Sequence, residues 1–359
     1  MKIMILANND AGLYKFRQEL LEELVKNHEV YICLPDGEYI EDLIAIGCKF
    51  VPCNCLERQG TNPVKDLALM NFYRKTLKEY QPDIVFTYTI KPNSYGGMVC
   101  GMMNVPYVVN ITGLGTAIEN ESWMQKIALT IYKLGLRKAQ KVFFQNTTNR
   151  DFMVSRKVIK GAYDLLPGSG VNLGRYEVSE YPLGNTVDFV FVGRMMKEKG
   201  IENYMEAAEY IREKYPNTRF HICGAYEQDY REKLEELQKK EVLIYHGMVK
   251  DMVEIYKEMS CTIHPSYYPE GLSNVLLESS ACARPIITTD RPGCREVIDD
   301  GVNGYICKQN DTKDLIMQIE KFLKLPREAR KQMGLAGRAK VEKEFNRQIV
   351  IDKYLAELK

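Results

Sequence analysis

A chain of 359 residues is long enough for two ordinary α/β domains, each with its own core. The 49 Lys and Arg residues nearly balance the 48 Asp and Glu residues, so no overall charge favours nucleic acid as a partner. No stretch approaches about 18 uninterrupted apolar residues, and the N-terminal apolar run is too short for a secretion signal. We therefore expect a cytoplasmic protein whose contact with a membrane, if any, is peripheral.

The ten cysteines lie mostly in apolar stretches of the sequence. They form no framework of CxxC pairs, and none sits beside His residues at the spacing of metal ligands. This distribution indicates reduced, buried thiols and predicts no metal site.

Short β-branched and aromatic runs alternate with amphipathic helical patterns along the chain, which is typical of βα units and parallel sheets. The strands predicted in the first half are residues 3–7, 30–34, 84–88, 107–111 and 142–145. In the second half a strand begins at 187, and the predicted segments are 189–192, 220–223, 243–246, 261–263 and 285–288. The pattern predicts two tandem Rossmann-like, doubly wound domains that face each other across a cleft.

A Pro-Gly-Ser-Gly cluster at residues 167–170, followed by a polar stretch, predicts the junction between these domains. We place the first domain at residues 1–168 and the second at residues 169–344. The amphipathic pattern at the end of the chain predicts a last helix within residues 345–359.

The first candidate site follows the strand at 189–192, where Gly193 and Arg194 precede Lys199. In doubly wound sheets, ligands bind beyond the carboxyl ends of the strands, where loops and helix N-termini can meet a phosphate. An Arg fork and a Lys point charge can together neutralise a diphosphate without a metal. The alternative is a solvated loop with two surface cations.

The second candidate site is the segment 270–278, which follows the strand ending near residue 263. Residues 271–274 are predicted to open a helix whose free N–H groups attract an anion. Glu278 would lie one turn along that helix and lean back toward ligand hydroxyls, and Glu270 would face the other end of the ligand. The alternative is an ordinary helix start with one favourable acid and one surface acid.

Three motifs resemble, in order and strand context, those of the retaining GT-B glycosyltransferases of family 4: Gly193-Arg194 with Lys199-Gly200, His264-Pro265-Ser266, and Glu270 with Glu278. The resemblance extends over nearly the whole chain. It implies that Arg194 and Lys199 contact the diphosphate of a nucleotide-sugar donor. It also implies that Glu270, the third catalytic candidate, lies against the donor sugar and that Glu278 binds ribose.

The same resemblance implies a wider site. The donor-binding positions are Gly12, Gly193, Met248, Val249, Gly271, Leu272, Ser273, Asn274, Val275 and Glu278. The segment of Met248 and Val249 resembles the one that brackets the nucleotide base. The positions on the acceptor or sugar side are Asp10, Arg17, Lys91 and Thr112. In the resembled fold, the C-terminal helix crosses back onto the first domain.

One position departs from the resembled family. Many relatives carry a His after the strand at 107–111, close to the transferred sugar, whereas this chain has Thr112. Retaining transfer in that family is thought to use the β-phosphate of the donor as base. We therefore interpret the change as a subgroup variant in which Thr112 or nearby backbone contacts the sugar, and the alternative is a changed donor or lost activity.

The segments 89–93 and 111–115 resemble bacterial enzymes that add N-acetylhexosamine or related sugars to a glycan linked to polyprenyl diphosphate. The resemblance thus implies transfer of an N-acetylhexosamine or hexose from a UDP-sugar to such an acceptor, or to another glycan, in assembly of a bacterial surface polysaccharide. No cofactor and no metal are expected, and the chain contains no Asp-x-Asp. The alternatives are a nucleotide-sugar epimerase of similar build and a non-catalytic relative that binds glycan or nucleotide.

The segment 123–138 is amphipathic, apolar and basic. Such a helix can lie on an anionic membrane surface and bring an active site to a lipid-linked acceptor. Packing against the core, with a solvated basic edge, is the commoner explanation of the same pattern.

Overall fold

The computed structural model describes residues 1–56, 62–115, 118 and 123–358. The chain divides into two compact units, which we call unit 1 (Met1–Ser169 with Gln348–Lys359) and unit 2 (Gly170–Arg347). The boundary that we placed after residue 168 lies beside this division. Within the described residues, no helix is both long and apolar enough to cross a membrane.

Unit 1 is built on a seven-stranded sheet. Its strands are β1 (Lys2–Leu6), β2 (Glu29–Leu34), β3 (Lys49–Pro52), β4 (Ile84–Tyr88), β5 (Tyr107–Ile111), β6 (Lys141–Phe144) and β7 (Tyr163–Leu165). They pair in parallel in the order β3-β2-β1-β4-β5-β6-β7. The central strands β4 and β5 are buried along their whole length because helices cover both faces.

The helices of unit 1 are α1 (Asp10–Val25), α2 (Ile40–Ala45), α3 (Pro63–Tyr80), α4 (Gly97–Met103), α5 (Trp123–Gly135), α6 (Thr147–Ser155) and, after unit 2, α13 (Arg347–Ala356), with a π-helical turn at Pro92–Gly96. One face of the sheet packs against α1, α2 and α13. The other packs against α3, α4, α5 and α6. The side chains of Asn9, Asn62 and Asn146 accept hydrogen bonds from the first turns of α1, α3 and α6, which fixes where these helices begin.

The C-terminal helix α13 packs into unit 1 through Tyr354. The ring of Tyr354 lies 5.0 Å from that of Phe86 and 5.2 Å from that of Phe143. Its hydroxyl accepts a hydrogen bond of 2.8 Å from Asn110 Nδ2 on β5. These contacts explain why a helix that follows unit 2 in the sequence belongs to unit 1 in space.

Unit 2 is built on a six-stranded sheet. Its strands are β8 (Val187–Val192), β9 (Thr218–Cys223), β10 (Leu243–Tyr245), β11 (Cys261–His264), β12 (Ile286–Thr289) and β13 (Gly304–Cys307). They pair in parallel in the order β10-β9-β8-β11-β12-β13. The three strands that the sequence did not predict, β3, β7 and β13, are short and lie at sheet edges.

The helices of unit 2 are α7 (Ile201–Lys214), α8 (Arg231–Lys239), α9 (Met252–Glu258), α10 (Asn274–Ala281), α11 (Thr312–Leu323) and α12 (Arg327–Glu344), with 3₁₀ turns at Lys197–Lys199 and Arg295–Val297. One face of the sheet packs against α7, α8 and α11. The other packs against α9, α10 and the second half of α12.

Both sheets reverse their strand order once. In unit 1 the reversal falls between β1 and β4, and in unit 2 it falls between β8 and β11. Because the strands are parallel, their carboxyl ends share one edge of each sheet, and the loops diverge on either side of the reversal. The loops after β1, β4, β8 and β11 are therefore the expected places for ligands.

Candidate active site

The loop after β8 brings Lys199 next to the loop after β11. Gly200, which ends the 3₁₀ turn, has φ +76°, and a Cβ on it would lie 2.2 Å from the backbone oxygen of Pro265. Only glycine allows this approach. The N–H of Tyr267 donates a hydrogen bond of 2.9 Å to the carbonyl of Glu198. The two loops at the reversal point of unit 2 thus form one structure.

Lys199 and Glu270 form an ion pair at this point, between Nζ and Oε1. Both side chains are mostly buried, with exposed fractions of 12% and 14%. Burial alone would raise the pKa of Glu270, but the Lys199 ammonium and His264 outweigh it and hold this pKa well below its usual range. Glu270 is therefore ionised and fixed in place at neutral pH.

His264, the last residue of β11, is fully buried beside this pair. Its Nε2 lies 3.2 Å from Ser273 Oγ and 3.6 Å from Glu270 Oε1. Burial lowers the pKa of His264, so the ring is neutral at pH 7. A neutral ring links the Glu270 carboxylate to the residue that precedes α10 without adding a full charge.

Arg194 is the second predicted cation, and it is more exposed. Its Nη1 lies 3.2 Å from Glu227 Oε1, and the two side chains are 37% and 42% exposed. The guanidinium lies 5.5 Å from the ring centre of Tyr268, and Lys199 Nζ lies 5.2 Å from the same centre. The structure therefore gathers both cations over one ring, which the sequence motif did not indicate.

The sequence predicted that a helix opens within residues 271–274. In the structure, α10 begins at the last of these residues, Asn274, with Ser273 in the N-cap position. Gly271, Leu272 and Ser273 form the loop before it. The N–H of Ser273 donates a hydrogen bond of 2.8 Å to the carbonyl of Gly293. The first turn, with Asn274 and Val275, contains no acidic residue, so its partial positive charge is not offset there.

Glu278 lies one turn along α10 and is partly buried. Burial raises its pKa to about 7, although Tyr176, Arg347 and other polar neighbours counteract the rise. The hydroxyl of Tyr256 donates a hydrogen bond of 3.4 Å to Glu278 Oε2. Sequence reasoning missed Tyr176 and Tyr256, which carry no signal in spacing or motif.

The positions assigned to the base and to the turn after β8 lie at the carboxyl edge of the same sheet. Val249 is partly buried and packs against the small cluster of Val190, Cys223 and Met259. Met248 is 65% exposed. The N–H of Gly193 donates a hydrogen bond of 3.0 Å to the carbonyl of Cys223, which holds this turn against the end of β9.

In unit 1, the predicted residues after β1 support the fold of their loop. Asp10 is buried, and its Oδ2 accepts a hydrogen bond of 2.7 Å from the N–H of Tyr39. The N–H of Gly12 donates a hydrogen bond of 2.6 Å to Asn9 Oδ1, and this bond caps the first turn of α1. Both residues are thus already engaged in structural hydrogen bonds.

The other predicted residues of unit 1 are dispersed. Lys91, after β4, lies 3.0 Å from Asp66 Oδ1 at the start of α3. Thr112 directly follows β5 and is partly buried. Arg17 lies within α1, is 4% exposed, and places its guanidinium 5.2 Å from the ring centre of Tyr88. Lys91 and Thr112 therefore both lie at the carboxyl ends of the parallel strands, whereas Arg17 lies below this end of the sheet, within α1.

Among the described residues, no group of three or more His, Cys, Asp or Glu side chains is arranged to hold a metal ion. All ten cysteines are free thiols, and nine are buried.

Two doubly wound parallel sheets in tandem, with basic residues at the reversal point of the second, are the arrangement found in two-domain nucleotide-sugar enzymes with the GT-B fold. Comparison with known proteins agrees with this. Residues 2–146 match the family described as glycosyl transferase 4-like, and residues 180–340 match the family described as glycosyl transferases group 1.

Two relatives and one solved structure extend the comparison. The chain is 24% identical to the N,N'-diacetylbacillosaminyl-diphospho-undecaprenol alpha-1,3-N-acetylgalactosaminyltransferase of Campylobacter jejuni, over 99% of this chain and 97% of the relative. It is 24% identical to the UDP-Gal:alpha-D-GlcNAc-diphosphoundecaprenol alpha-1,3-galactosyltransferase of Escherichia coli, over 82% and 80%. The crystal structure of Anabaena HepE with UDP and glucose superposes with a TM-score of 0.81 at 17% identity, covering 100% and 99% of the two chains.

The chain belongs to the GT-B glycosyltransferases, with a 4-like domain followed by a group 1 domain. The predicted fold class, family and enzyme class are confirmed.

Proposed function

We propose that this glycosyltransferase moves an N-acetylhexosamine or hexose from a UDP-sugar to a glycan linked to polyprenyl diphosphate, with retention at the anomeric carbon. The observation that carries the proposal is the buried pair of Lys199 and Glu270, beside Arg194, at the reversal point of unit 2. Support for the substrates comes from the names of the C. jejuni and E. coli relatives, which act on acceptors linked to diphospho-undecaprenol. The UDP bound to HepE supports the nucleotide.

The donor diphosphate is assigned to Arg194, Lys199 and the start of α10. Arg194 can leave its half-exposed pair with Glu227 at little cost, because such surface pairs contribute about 0–1 kcal/mol. Lys199 is already fixed in place, and the first N–H groups of α10 have no partner within the helix. Positive charge placed where the departing UDP develops negative charge lowers the barrier without requiring a metal.

Glu270 is assigned to the donor sugar. Its carboxylate is ionised and held by Lys199, with Ser266 Oγ 3.4 Å from Oε1. An ionised, fixed carboxylate accepts hydrogen bonds from sugar hydroxyls and orients them. In this proposal Glu270 positions the donor and forms no covalent bond, and the acceptor hydroxyl enters on the face from which UDP departs.

Glu278 and the loop of Met248 and Val249 are assigned to the nucleoside. Glu278 follows the diphosphate-binding helix start by one turn, which suits a ribose that lies next to the phosphates. We assign the acceptor to the carboxyl edge of unit 1, near Lys91 and Thr112, and we include peripheral contact with the inner face of the membrane because the acceptor carries a lipid.

The test is nucleotide release from a panel of UDP- and GDP-sugars, with a chelator present, with and without a polyprenyl-diphosphate-linked sugar. We expect release of free UDP that depends on one donor and on the acceptor, and an α-linked product. Conversion to another nucleotide sugar without free UDP would instead identify an epimerase. Binding of UDP without turnover on any pair would identify a non-catalytic relative, and a lost activity with chelator would refute metal independence.

A further inference from the structure

Helix α5 exposes apolar side chains along one side. Trp123, the single tryptophan of the chain, is 71% exposed, Met124 is 45% exposed and Ile127 is 49% exposed. The opposite side packs in the core through Tyr132 and Gly135, which are buried. Core packing thus explains half of the amphipathic pattern, and the exposed apolar half has no partner among the described residues of unit 1.

A second helix, α3, also begins with exposed apolar side chains. Val64 is 76% exposed and Leu67 is 66% exposed, both in its first two turns. Since α3 follows β3 and α5 follows β5, both helices start at the carboxyl edge of the parallel sheet. The π-helical turn at Pro92–Gly96 packs against both helices.

Direct contacts join these helix starts to the loop after β4. Lys91 pairs with Asp66 in the first turn of α3. Its neighbour Ile90, which is 44% exposed, lies against Gly115 in the segment that leads to α5, where an added Cβ would be 3.0 Å from Ile90 Cδ1. We call the exposed apolar set the apolar edge: Val64, Leu67, Ile90, Trp123, Met124 and Ile127.

The charge beside the apolar edge is positive. From residue 123 to residue 150 the sequence contains no Asp or Glu, and Lys126, Lys133 and Arg137 are exposed. Glu119 and Glu121 precede this run and lie outside the described residues. Exposed apolar side chains interleaved with cations, and a tryptophan at the end, are what a surface of anionic lipid headgroups binds.

We propose that the apolar edge docks on the surface of an anionic bilayer, with the Trp123 ring at headgroup depth and Lys126 and Lys133 on lipid phosphates. Docking there brings the carboxyl edge of unit 1 to the membrane. This deepens the proposed function and rests on it for the acceptor, since a lipid-linked acceptor would then meet Lys91 and Thr112 without leaving the bilayer. The binding itself requires no assumption about the sugar.

The single tryptophan makes the docking measurable in the full chain, because its fluorescence reports Trp123 alone. With vesicles of phosphatidylglycerol and phosphatidylcholine we expect a blue shift and protection from a soluble quencher, both weakened by salt. Emission that stays unchanged with these vesicles overturns the proposal. So does an equal response to pure phosphatidylcholine, because the cations would then play no part.

Matched variants separate the apolar edge from exposed residues elsewhere. Met124→Ser with Ile127→Ser should lower the vesicle partition coefficient by on the order of tenfold. The control is Leu183→Ser, in unit 2, where the side chain is 82% exposed. Lys126→Glu with Lys133→Glu should have a similar effect, and Lys239→Glu with Lys324→Glu, also exposed and in unit 2, should have none. Equal loss in test and control variants refutes the docking surface.

Two further measurements distinguish the occupants and the two proposals. If sedimentation shows that the apolar edge variants dissociate an oligomer while vesicle binding is retained, the occupant is a second copy and the bilayer proposal fails. The variants should lose transfer to an acceptor embedded in vesicles while keeping transfer to a water-soluble, short-chain acceptor. If the unmodified protein transfers to neither, the proposed function fails, and the fluorescence measurement still decides the docking.

Discussion

Replacing Lys199 by Met removes the charge that keeps Glu270 ionised in a mostly buried place. Glu270 can then avoid an unpaired buried charge only by taking a proton. From a reference pKa of 4.5, each pH unit corresponds to about 1.4 kcal/mol, so protonation at pH 7 requires about 3 kcal/mol. This cost is the pH-dependent part of the expected loss in the free energy of unfolding of Lys199→Met at pH 7.

The pH dependence of the free energy of unfolding tests whether Glu270 is ionised in the unmodified protein and protonated in the variant. In the unmodified protein, the pKa of Glu270 is depressed, so its contribution to stability is complete above the unfolded pKa and is lost only as pH falls through the folded pKa. Between pH 7 and pH 5 this group leaves stability unchanged. In Lys199→Met the folded carboxyl binds a proton that the unfolded carboxyl does not, so the loss should shrink by about 1.4 kcal/mol per pH unit as pH falls from 7 to 5.

The assay is urea unfolding of the unmodified protein, Lys199→Met, and the double variant Lys199→Met with Glu270→Gln, at pH 7 and pH 5. The double variant has no carboxylate to protonate, so it should recover most of the stability and lose the pH dependence. Nucleotide release should fall by about 10²–10³-fold in both variants, because neither has the ammonium for the leaving diphosphate. A loss in Lys199→Met that is equal at pH 5 and pH 7 would refute the buried pair.

Three other substitutions test separate parts of the site. Arg194→Ala should lower kcat by on the order of 10²-fold. It should change the free energy of unfolding by less than about 0.5 kcal/mol, because the pair of Arg194 with Glu227 is half-exposed. Glu227→Gln is the control, and an equal loss of kcat in both variants would contradict a direct role of Arg194. Because the pKa of Glu278 is raised to about 7, the unmodified protein should gain stability as pH falls from about 7 toward 4.5, and Glu278→Gln should remove this gain. Urea unfolding midpoints across this pH range measure the difference. The same pH profile in both proteins would show that Glu278 is not desolvated. Gly200→Ala should destabilise the protein by about 1–3 kcal/mol and reduce turnover, because the added Cβ would overlap the backbone oxygen of Pro265. The control is Gly184→Ala, where φ is also positive (+102°) but no heavy atom lies within 4 Å of the added Cβ, so its loss in thermal unfolding measures the backbone strain alone. Equal losses in the two variants would exclude the overlap as the cause.

Much of the fold could be predicted from the sequence because central parallel strands are buried on both faces. Such strands read as largely apolar runs, as in β4 (IVFTY) and β8 (VDFVFV), and their alternation with amphipathic helices defines doubly wound domains. The edge strands β3, β7 and β13 escaped prediction. Each has only three or four residues and pairs on one side, so their register is decided by the neighbouring strand rather than by their own composition.

The candidate site, too, could be predicted only in part from the sequence. The sequence predicted Arg194, Lys199, Glu270 and Glu278 as site residues, because glycine turns and helix starts that follow strands have local signatures. Local signatures did not reveal the ring of Tyr268 under both cations, or the hydroxyl of Tyr256 at Glu278.

By itself, then, the sequence determined the βα alternation and which loops carry charge, since both depend on residues close together in the chain. Only the tertiary structure decided the protonation states of these charges. The pKa of Glu270 is depressed by Lys199, 71 residues earlier, while the pKa of Glu278 is raised because burial outweighs the opposing effects of Tyr176, Arg347 and Arg175. Desolvation and Coulomb attraction depend on distance in space, and that distance is set when β8 and β11 come together as neighbours in the sheet.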